Sequence, residues 1–388
     1  MIFDSYSRRF VLLMPPGMCY YLLGKGGGGN ELQGYLFYKL LLRNKIKVSI
    51  FLPVDLIFKR DEKIIYENLG TDIYTFYALI RPGIGYLSSN LMLFIHILKR
   101  ANKIRGADLF SSGTQYAFTL FLLRKLFRNL YIRVSGLDVN LSYHSLISKL
   151  ILTLGNILLF MVSNKIICPT IQLKHVAQTF VRQRNKLVVI PNLIDAEANE
   201  IHDAVINLNN ILYIGRFERE KGIEILLYAF VNILNMGFNV KLLLIGDGSL
   251  MPWIRNFINI NKLNDRVIVT GFIEQKKVYE FLKQGGIFVL PSFTEGMSNS
   301  LLQAMMFGLP IIVTNVGGST ELIRNEENGL VIPVSSVEQL TEAIVRLLND
   351  PRLAIRLGMS AKDFIRRRFK DVEDHYLRLI HEYTNNFK

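Results

Sequence analysis

The organisation of the chain is clearest in residues 289–321, which read VLPSFTEGMSNSLLQAMMFGLPIIVTNVGGSTE. Apolar runs at 287–290 and 311–313 are typical of two buried parallel strands. The serine and asparagine at 298–299 can cap a helix between these strands. The loop 295–298 is therefore predicted at the carboxyl end of a strand and the amino end of a helix. In an open α/β sheet ligands bind at this place, and the unpaired N–H groups of the helix suit a phosphate.

The same alternation of strand-like and helix-length segments runs through the whole chain of 388 residues and predicts an α/β protein with parallel sheets. It is interrupted at 191–195, PNLID, and the stretch that follows is polar as far as residue 210. We therefore expect two Rossmann-like, doubly wound domains that face each other across a cleft. The first spans residues 1–190, and the second begins at residue 191.

Charge is distributed unevenly along the chain. Residues 1–190 hold 25 Lys and Arg against 9 Asp and Glu, whereas residues 191–388 hold 21 against 23, which gives +16 and −2. A strongly basic half predicts an anionic partner, and an anionic membrane surface or a phosphate-linked acceptor fits this charge. Nucleic acid is the competing interpretation, and the absence of a nucleic-acid-binding motif disfavours it.

Two cysteines and two apolar runs bear on the location of the protein. Cys19 and Cys168 are far apart and lie beside apolar residues, which favours reduced thiols. The run 10–14 ends in two prolines and is interpreted as a first strand rather than a signal peptide. The longest run, 150–162, is shorter than the roughly 20 residues of a membrane span. We predict a cytoplasmic protein that is peripheral at the inner face of the membrane.

A glycine-rich stretch, GKGGGG at 24–29, satisfies the G-x-G-x-x-G pattern of dinucleotide-binding proteins. About ten residues separate it from the end of the first strand, which is more than that pattern allows. An NAD-dependent oxidoreductase is therefore the weakest alternative. We interpret the stretch as a flexible loop that brings the N–H groups of Gly28 and Gly29 to a diphosphate across the cleft, and a surface loop without function is the alternative.

The stretch 289–321 resembles the retaining glycosyltransferases of the GT-B fold, family 4 or group 1. Their pattern is Glu, Gly and a second Glu eight residues after the first, followed by Ala-Met, Gly-x-Pro and Gly-Gly. The chain has, in this order, Glu295, Gly296, Gln303 in place of the second Glu, Ala304-Met305, Gly308 to Pro310, and Gly317-Gly318. The resemblance implies that the second domain, 191–370, binds a nucleotide-sugar, that the first presents the acceptor, and that 371–388 forms a closing helix that returns to the first domain.

The loop GRFEREKG at 215–222 resembles the family loop whose Arg and Lys hold the donor diphosphate, here Arg216 and Lys221. Two cations beside a helix start can neutralise a departing diphosphate without a metal. A solvated cluster in which Glu218 and Glu220 pair with these cations is the alternative. The implied donor contacts are Arg216, Lys221, Gly271, Phe272, Ile273, Glu295, Gly296, Met297, Ser298, Asn299 and Gln303, in addition to Gly28 and Gly29. The implied catalytic residues are Glu295, Arg216 and Lys221.

On the acceptor side, 133–138 reads RVSGLD, where related enzymes carry His-Gly-x-Asp. Ser135 stands in the place of the His and Asp138 matches the Asp, so both are candidate acceptor-side residues, with an ordinary turn as the alternative. Gln303 lacks the charge of the second family Glu and predicts weaker binding of the donor ribose.

The resemblance predicts a retaining, metal-independent hexosyltransferase that needs no cofactor. It would move a sugar from a nucleotide-sugar, with UDP-sugar chosen as the commonest donor, to a glycan or lipid-linked glycan in bacterial surface polysaccharide or lipopolysaccharide synthesis. A degenerate, non-catalytic GT-B subunit is the main alternative, because Gln303 and Ser135 depart from the family pattern.

Overall fold

A computed structural model describes residues 9–15, 18, 28–55, 72–78, 84–134, 146–195 and 206–385. The chain divides into two compact units. Unit 1 comprises Met1–Leu193 together with Val372–Lys388, and unit 2 comprises Ile194–Asp371. Each unit is built on its own parallel sheet.

The sheet of unit 1 has seven strands in the order β3-β2-β1-β4-β5-β6-β7, and every pairing is parallel. The strands are β1 Arg9–Leu13, β2 Lys47–Asp55, β3 Asp72–Ala78, β4 Asp108–Ser112, β5 Leu130–Arg133, β6 Lys165–Cys168 and β7 Leu187–Val189. The helices are α1 Gly29–Arg43, α2 Ile84–Leu98, α3 Ala101–Ile104, α4 Ala117–Leu122, α5 Leu146–Val162, α6 Ile171–Gln178 and, at the end of the chain, α14 Val372–Asn385.

The sheet of unit 2 has six strands in the order β10-β9-β8-β11-β12-β13, again all parallel. The strands are β8 Asn210–Ile214, β9 Lys241–Ile245, β10 Val267–Val269, β11 Ile287–Leu290, β12 Ile311–Thr314 and β13 Leu330–Ile332. The helices are α7 Ile223–Asn235, α8 Met251–Ile260, α9 Gln275–Lys283, α10 Asn299–Met306, α11 Gly317–Leu322, α12 Val337–Asn349 and α13 Pro351–Phe369.

In both sheets the chain first adds strands on one side of a central strand and then returns to add strands on its other side. This order of connections defines a doubly wound sheet. In unit 1 this switch point lies between β1 and β4, and in unit 2 it lies between β8 and β11. The prediction of two doubly wound α/β domains is therefore confirmed. The two switch points are the places where each sheet is expected to bind ligands.

Burial in the hydrophobic cores explains why the apolar runs of the sequence form the central strands. The side chains of β11 and β12 are completely or almost completely buried, because helices cover both faces of a parallel sheet. The strands β3 and β13 were not predicted. Both lie at the edge of their sheet, where a strand is only partly covered and its apolar signal is weaker.

The first-domain candidates are only partly described. Ser135 and Asp138 lie outside the described residues, as do residues 24–27 of the glycine-rich stretch. Gly28 is the N-cap of α1 and Gly29 is its first helical residue, and the N–H of Gly28 donates to Glu31 Oε2 at 2.9 Å. A contact of Gly28 or Gly29 with a diphosphate stays a prediction.

Candidate active site

The candidate site lies at the carboxyl edge of the unit 2 sheet, where β8 and β11 meet at the switch point. The loop 215–222 follows β8 and precedes α7, and the loop 291–298 follows β11 and precedes α10. Ser298 is the N-cap of α10 and its hydroxyl accepts from the N–H of Leu301. The predicted loop, cap and helix start are therefore present in the structure.

Lys221 and Glu295 come from different loops and form an ion pair. Lys221 Nζ donates to Glu295 Oε1 at 2.7 Å, and only 18% and 7% of the two side chains are exposed. The hydroxyl of Ser292, which is completely buried, donates to the same oxygen at 2.8 Å. Oε1 thus has two donors, whereas Oε2 has no hydrogen-bond partner among the residues that the structure describes. Oε2 is the oxygen that can still bind a ligand.

The backbone around this ion pair is fixed by close contacts between the two loops. The N–H of Phe293 donates to the carbonyl of Glu220 at 2.8 Å. Gly222 has a positive φ of 65°, and a side chain there would meet the carbonyl oxygen of Pro291 at 2.1 Å. Only glycine satisfies both conditions, which accounts for the Lys-Gly pair that ends the loop.

A third loop, after β12, closes the other side of Glu295. The N–H of Gly318 donates to the carbonyl of Glu295 at 3.2 Å, and a Cβ on Gly318 would lie 1.4 Å from the carbonyl oxygen of Gly296. The hydroxyl of Thr314 donates to the carbonyl of Ser292 at 2.5 Å. The carboxylate of Glu295 is therefore held by Lys221 and Ser292, and the third loop holds the backbone of the Glu295 loop.

Arg216 lies in the same loop as Lys221 but has a different environment. Its guanidinium donates to Glu220 at 3.1 Å, and 60% of its side chain is exposed. Its carbonyl accepts from the buried hydroxyl of Tyr213 at 2.7 Å. Burial, assisted by the nearby charge of Glu295, raises the pKa of Tyr213 well above its ordinary value, so Tyr213 acts as a neutral donor.

The alternative of a solvated charge cluster describes only part of this loop. Arg216 does pair with Glu220. Glu218, however, accepts from the N–H of Ser249 at 3.0 Å, and Lys221 pairs with Glu295. The loop therefore takes part in two different ion pairs, an exposed pair of Arg216 with Glu220 and an almost buried pair of Lys221 with Glu295.

The remaining candidates lie at the same edge of the sheet or on the adjoining helix. Residues 271–273 follow β10 and are half-buried, and the carbonyl of Gly271 accepts from the N–H of Gly246 at 3.2 Å. Met297 is buried, Asn299 is the first residue of α10, and Gln303 lies in the second turn of α10 with 8% exposure. The structure brings Lys221, Ser292 and Glu295 into direct contact, whereas donor contacts by the other residues stay predictions.

Two residues of the site were missed by the sequence analysis, namely Ser292 and Tyr213. Ser292 stands inside the stretch 289–321, three residues before Glu295, but a serine after a strand is equally typical of an ordinary turn. Tyr213 was hidden in an apolar strand, where a tyrosine is expected for packing alone.

The candidate site lies in the part of the chain that matches a known protein family. The family model "Glycosyl transferases group 1" matches residues 209–350, which lie within unit 2. An alpha-D-kanosaminyltransferase of Streptomyces kanamyceticus is 31% identical over 151 residues, which cover 39% of this chain and 39% of that protein. A UDP-Gal:alpha-D-GlcNAc-diphosphoundecaprenol alpha-1,3-galactosyltransferase of Escherichia coli is 30% identical over 186 residues, which cover 44% and 47%.

Among solved structures, Anabaena HepE in complex with UDP superposes with a TM-score of 0.73 at 15% sequence identity, over 97% of this chain and 100% of that one. The chain has the GT-B fold. The sequence matches span less than half the length of the two curated relatives, so they support a GT-B glycosyltransferase without defining its reaction.

In the part of the chain that the structure describes, no helix is long and apolar enough to cross a membrane. No group of three or more His, Cys, Asp or Glu side chains there could hold a metal ion. The prediction of a metal-independent reaction stays a prediction.

Proposed function

We propose that this protein is a retaining, metal-independent glycosyltransferase that moves a hexosyl group from a nucleotide-sugar to a lipid-linked glycan. The observation that carries the proposal is the almost buried Lys221–Glu295 pair at the switch point of unit 2. Ion pairs are rarely buried unless they are needed, because desolvation of the charges is costly. Support also comes from the match of this region to glycosyltransferases.

The proposed roles follow from the environment of each side chain. Glu295 Oε2 would accept hydrogen bonds from the sugar and stabilise positive charge that develops at its anomeric carbon. Lys221, Arg216 and the N-terminus of α10 would stabilise the negative charge of the leaving diphosphate. The ion pair would place Lys221 between the sugar and the diphosphate, because its ammonium group can donate to both at once.

The bond changes follow from the retained configuration. The acceptor hydroxyl oxygen would bond to the anomeric carbon on the face from which the diphosphate leaves. The bond between that carbon and the diphosphate oxygen would break, and the acceptor proton would pass to the departing phosphate. No side-chain base is then required.

UDP is the proposed nucleotide, and a glycan on a lipid diphosphate is the proposed acceptor class. The relative from Escherichia coli is named for both UDP-Gal and a diphosphoundecaprenol-linked sugar, and HepE was solved with UDP. The proposed location is the cytoplasmic face of a membrane, where the protein would be peripheral. The proposed process is the synthesis of a surface polysaccharide such as lipopolysaccharide.

The first test is ligand binding by thermal shift with UDP, GDP, ADP and NAD. One nucleoside diphosphate at a hundred times its Kd should stabilise the protein by about 2.7 kcal/mol. Arg216→Ala should weaken this binding. Arg219→Ala, which removes an exposed cation of the same loop, is the matched control and should leave it unchanged. Stabilisation by NAD alone would favour an oxidoreductase instead.

The second test is turnover with nucleotide-sugars and acceptor membranes in the presence of EDTA. Glu295→Gln keeps the shape of the side chain but removes its charge, so kcat should fall roughly hundredfold with UDP binding retained. The anomeric configuration of the product, measured by NMR, checks retention. Binding of a nucleoside diphosphate without any turnover would favour the non-catalytic subunit.

A further inference from the structure

The positive charge of unit 1 is concentrated where its strands begin. Four neighbouring segments each end at the first residue of a strand, namely 99–108, which includes the short helix α3, before β4, 123–130 before β5, 163–165 before β6 and 179–187 before β7. Together they contain eleven Lys and Arg residues but only one acidic residue, Asp108. Because parallel strands begin at the same edge of a sheet, these cations share one edge. We call the four segments the basic edge.

The four segments form one continuous surface. The N–H of Gly106 donates to the carbonyl of Leu126 at 2.8 Å, which joins the first segment to the second. The guanidinium of Arg124 donates to Asn164 Oδ1 at 2.7 Å, which joins the second to the third. Lys165 Nζ donates to the carbonyl of Asn185 at 2.9 Å, which joins the third to the fourth.

The single carboxylate of the basic edge does not offset its charge. Asp108 is 2% exposed and accepts two hydrogen bonds from Arg128, at 3.0 and 2.7 Å. One cation of the eleven is therefore neutralised by a buried partner. Lys99, Arg105, Lys125 and Arg184 are exposed.

Unit 2 shows that the fold itself does not require this charge. Helix C-termini attract cations, so a modest excess of Lys and Arg is expected where helices end. The five corresponding segments of unit 2 are 236–241, 261–267, 284–287, 307–311 and 323–330, and they hold four Lys and Arg against three Asp and Glu. The same architecture without the charge excess indicates that the basic edge serves a partner.

Apolar side chains are exposed among these cations. Leu98, Leu122 and Met161 lie at or next to the ends of α2, α4 and α5, and they are 46%, 66% and 64% exposed. The Nζ of Lys186 donates to the carbonyl of Met161, so a cation lies directly beside one of them. Unit 2 also exposes Met236 and Ile260 at helix ends. The combination of apolar and basic groups is what distinguishes unit 1.

We propose that the basic edge is the surface by which the protein docks on an anionic lipid bilayer. The cations would lie among lipid phosphates, and Leu98, Leu122 and Met161 would enter the boundary between headgroups and acyl chains. A nucleic acid would also attract the cations, but it offers the exposed Leu and Met side chains no apolar environment. The inference rests on the membrane location proposed above and not on the transferase chemistry.

The test is co-sedimentation of the full chain with phosphatidylglycerol-rich vesicles at physiological salt. Replacement of Lys99, Arg105, Lys125 and Arg184 by Gln should lower the binding constant about a hundredfold or more, since each cation near the surface contributes roughly fivefold. Leu122→Gln with Met161→Gln should lower it about tenfold. The matched control replaces Lys241, Arg255, Lys262 and Lys283, four exposed cations of unit 2, and should bind as the wild type does.

Three outcomes would overturn the proposal. The first is that the wild type fails to bind the vesicles. The second is that the unit 2 variant loses as much binding as the basic-edge variant. The third is that the protein binds an RNA or DNA oligomer tightly while the Leu122 and Met161 changes leave vesicle binding unaffected. Glu295→Gln should bind vesicles normally. Vesicle binding without transferase activity would support the basic edge as the docking surface and contradict the proposed reaction. Transferase activity without vesicle binding would contradict only the docking surface.

Discussion

Ser292 is the residue by which the role of Glu295 can be tested without changing Glu295 itself. Its hydroxyl donates to Glu295 Oε1, and a hydrogen bond to a charged group contributes about 1.5–3 kcal/mol. We expect Ser292→Ala to lower kcat roughly tenfold or more, because the carboxylate is then less firmly oriented. The donor KM should change little, because Ser292 is not expected to touch the nucleotide. Steady-state kinetics with varied donor concentration measures both quantities.

Ser319 provides a matched control for this substitution. It is also a buried serine of unit 2, with 1% exposure, but its hydroxyl has no hydrogen-bond partner within the described part of the chain. A buried hydroxyl without a partner is costly, so Ser319→Ala should leave kcat unchanged and the free energy of unfolding equal or higher. Equal loss of kcat in both variants would show that any cavity near the loop lowers activity, and the orienting role of Ser292 would be rejected.

Gln303 bears on donor affinity rather than on the chemical step. It lies in the second turn of α10, almost buried, where the resemblance implies an acceptor for the ribose hydroxyls. A carboxylate accepts more strongly than an amide, by about 1 kcal/mol, so Gln303→Glu should lower the donor KM about fivefold with kcat little changed. The measurement is the donor KM at saturating acceptor, and a higher KM would contradict the expected ribose contact.

At the scale of structural elements, the loops at the carboxyl edge of unit 2 are held together by glycines. Gly318→Ala should destabilise unit 2, because its Cβ would overlap the carbonyl oxygen of Gly296. Strain from one extra methyl group in a packed site typically costs about 1–3 kcal/mol. Since the displaced backbone belongs to the Glu295 loop, kcat should fall as well. Urea unfolding and kinetics measure the two effects.

The control for this element is Gly237→Ala. Gly237 has a positive φ of 87°, but among the described residues no atom beyond its chain neighbours lies within 4 Å of the position that a Cβ would occupy. The substitution should therefore cost stability only through backbone strain, roughly 1 kcal/mol, and leave kcat unchanged. Normal activity and stability in Gly318→Ala would mean that the Glu295 loop moves aside without cost.

Strands and helices could be predicted from the sequence where a single local signal, such as an apolar run or a helix cap, was strong. Central strands such as β11 are continuous apolar runs, and the cap at Ser298 stands directly before a helix. The edge strand β13 is three residues long and follows a polar turn, so neither length nor alternation revealed it. At the site, the resemblance to family motifs identified Lys221 and Glu295. Their contact at 2.7 Å depends on strand order, which no local pattern encodes.

At the scale of the whole molecule, each unit has its own core and its own spectroscopic or chemical probe. Trp253 is the single tryptophan of the chain and packs against the core of unit 2. Cys168 is completely buried in the core of unit 1, and burial raises the pKa of its thiol from 9.0 to about 12. The folded thiol should therefore not react with a disulfide reagent at pH 8, where the unfolded one does.

The buried thiol also makes the stability of unit 1 depend on pH. Below pH 9 the thiol is protonated in the folded and the unfolded chain, so it contributes no pH dependence. Between pH 9 and about 12 the unfolded thiol ionises while the folded thiol does not. The free energy of unfolding should fall as the pH rises through this interval. Cys168→Ala should reduce that fall, and an identical pH dependence in both proteins would contradict the assigned cause.

A donor site confined to unit 2 predicts different responses of the two probes to the nucleotide. UDP at a hundred times its Kd should stabilise unit 2 by about 2.7 kcal/mol and move the Trp253 transition to higher urea. The labelling of Cys168, followed in a Cys19→Ser variant, should remain at its original urea concentration, because unit 1 gains nothing from the ligand. Arg216→Ala should reduce the shift at Trp253, because it weakens binding of the nucleotide. Equal shifts of both probes would show either that the units unfold together or that residues of unit 1 also hold the nucleotide.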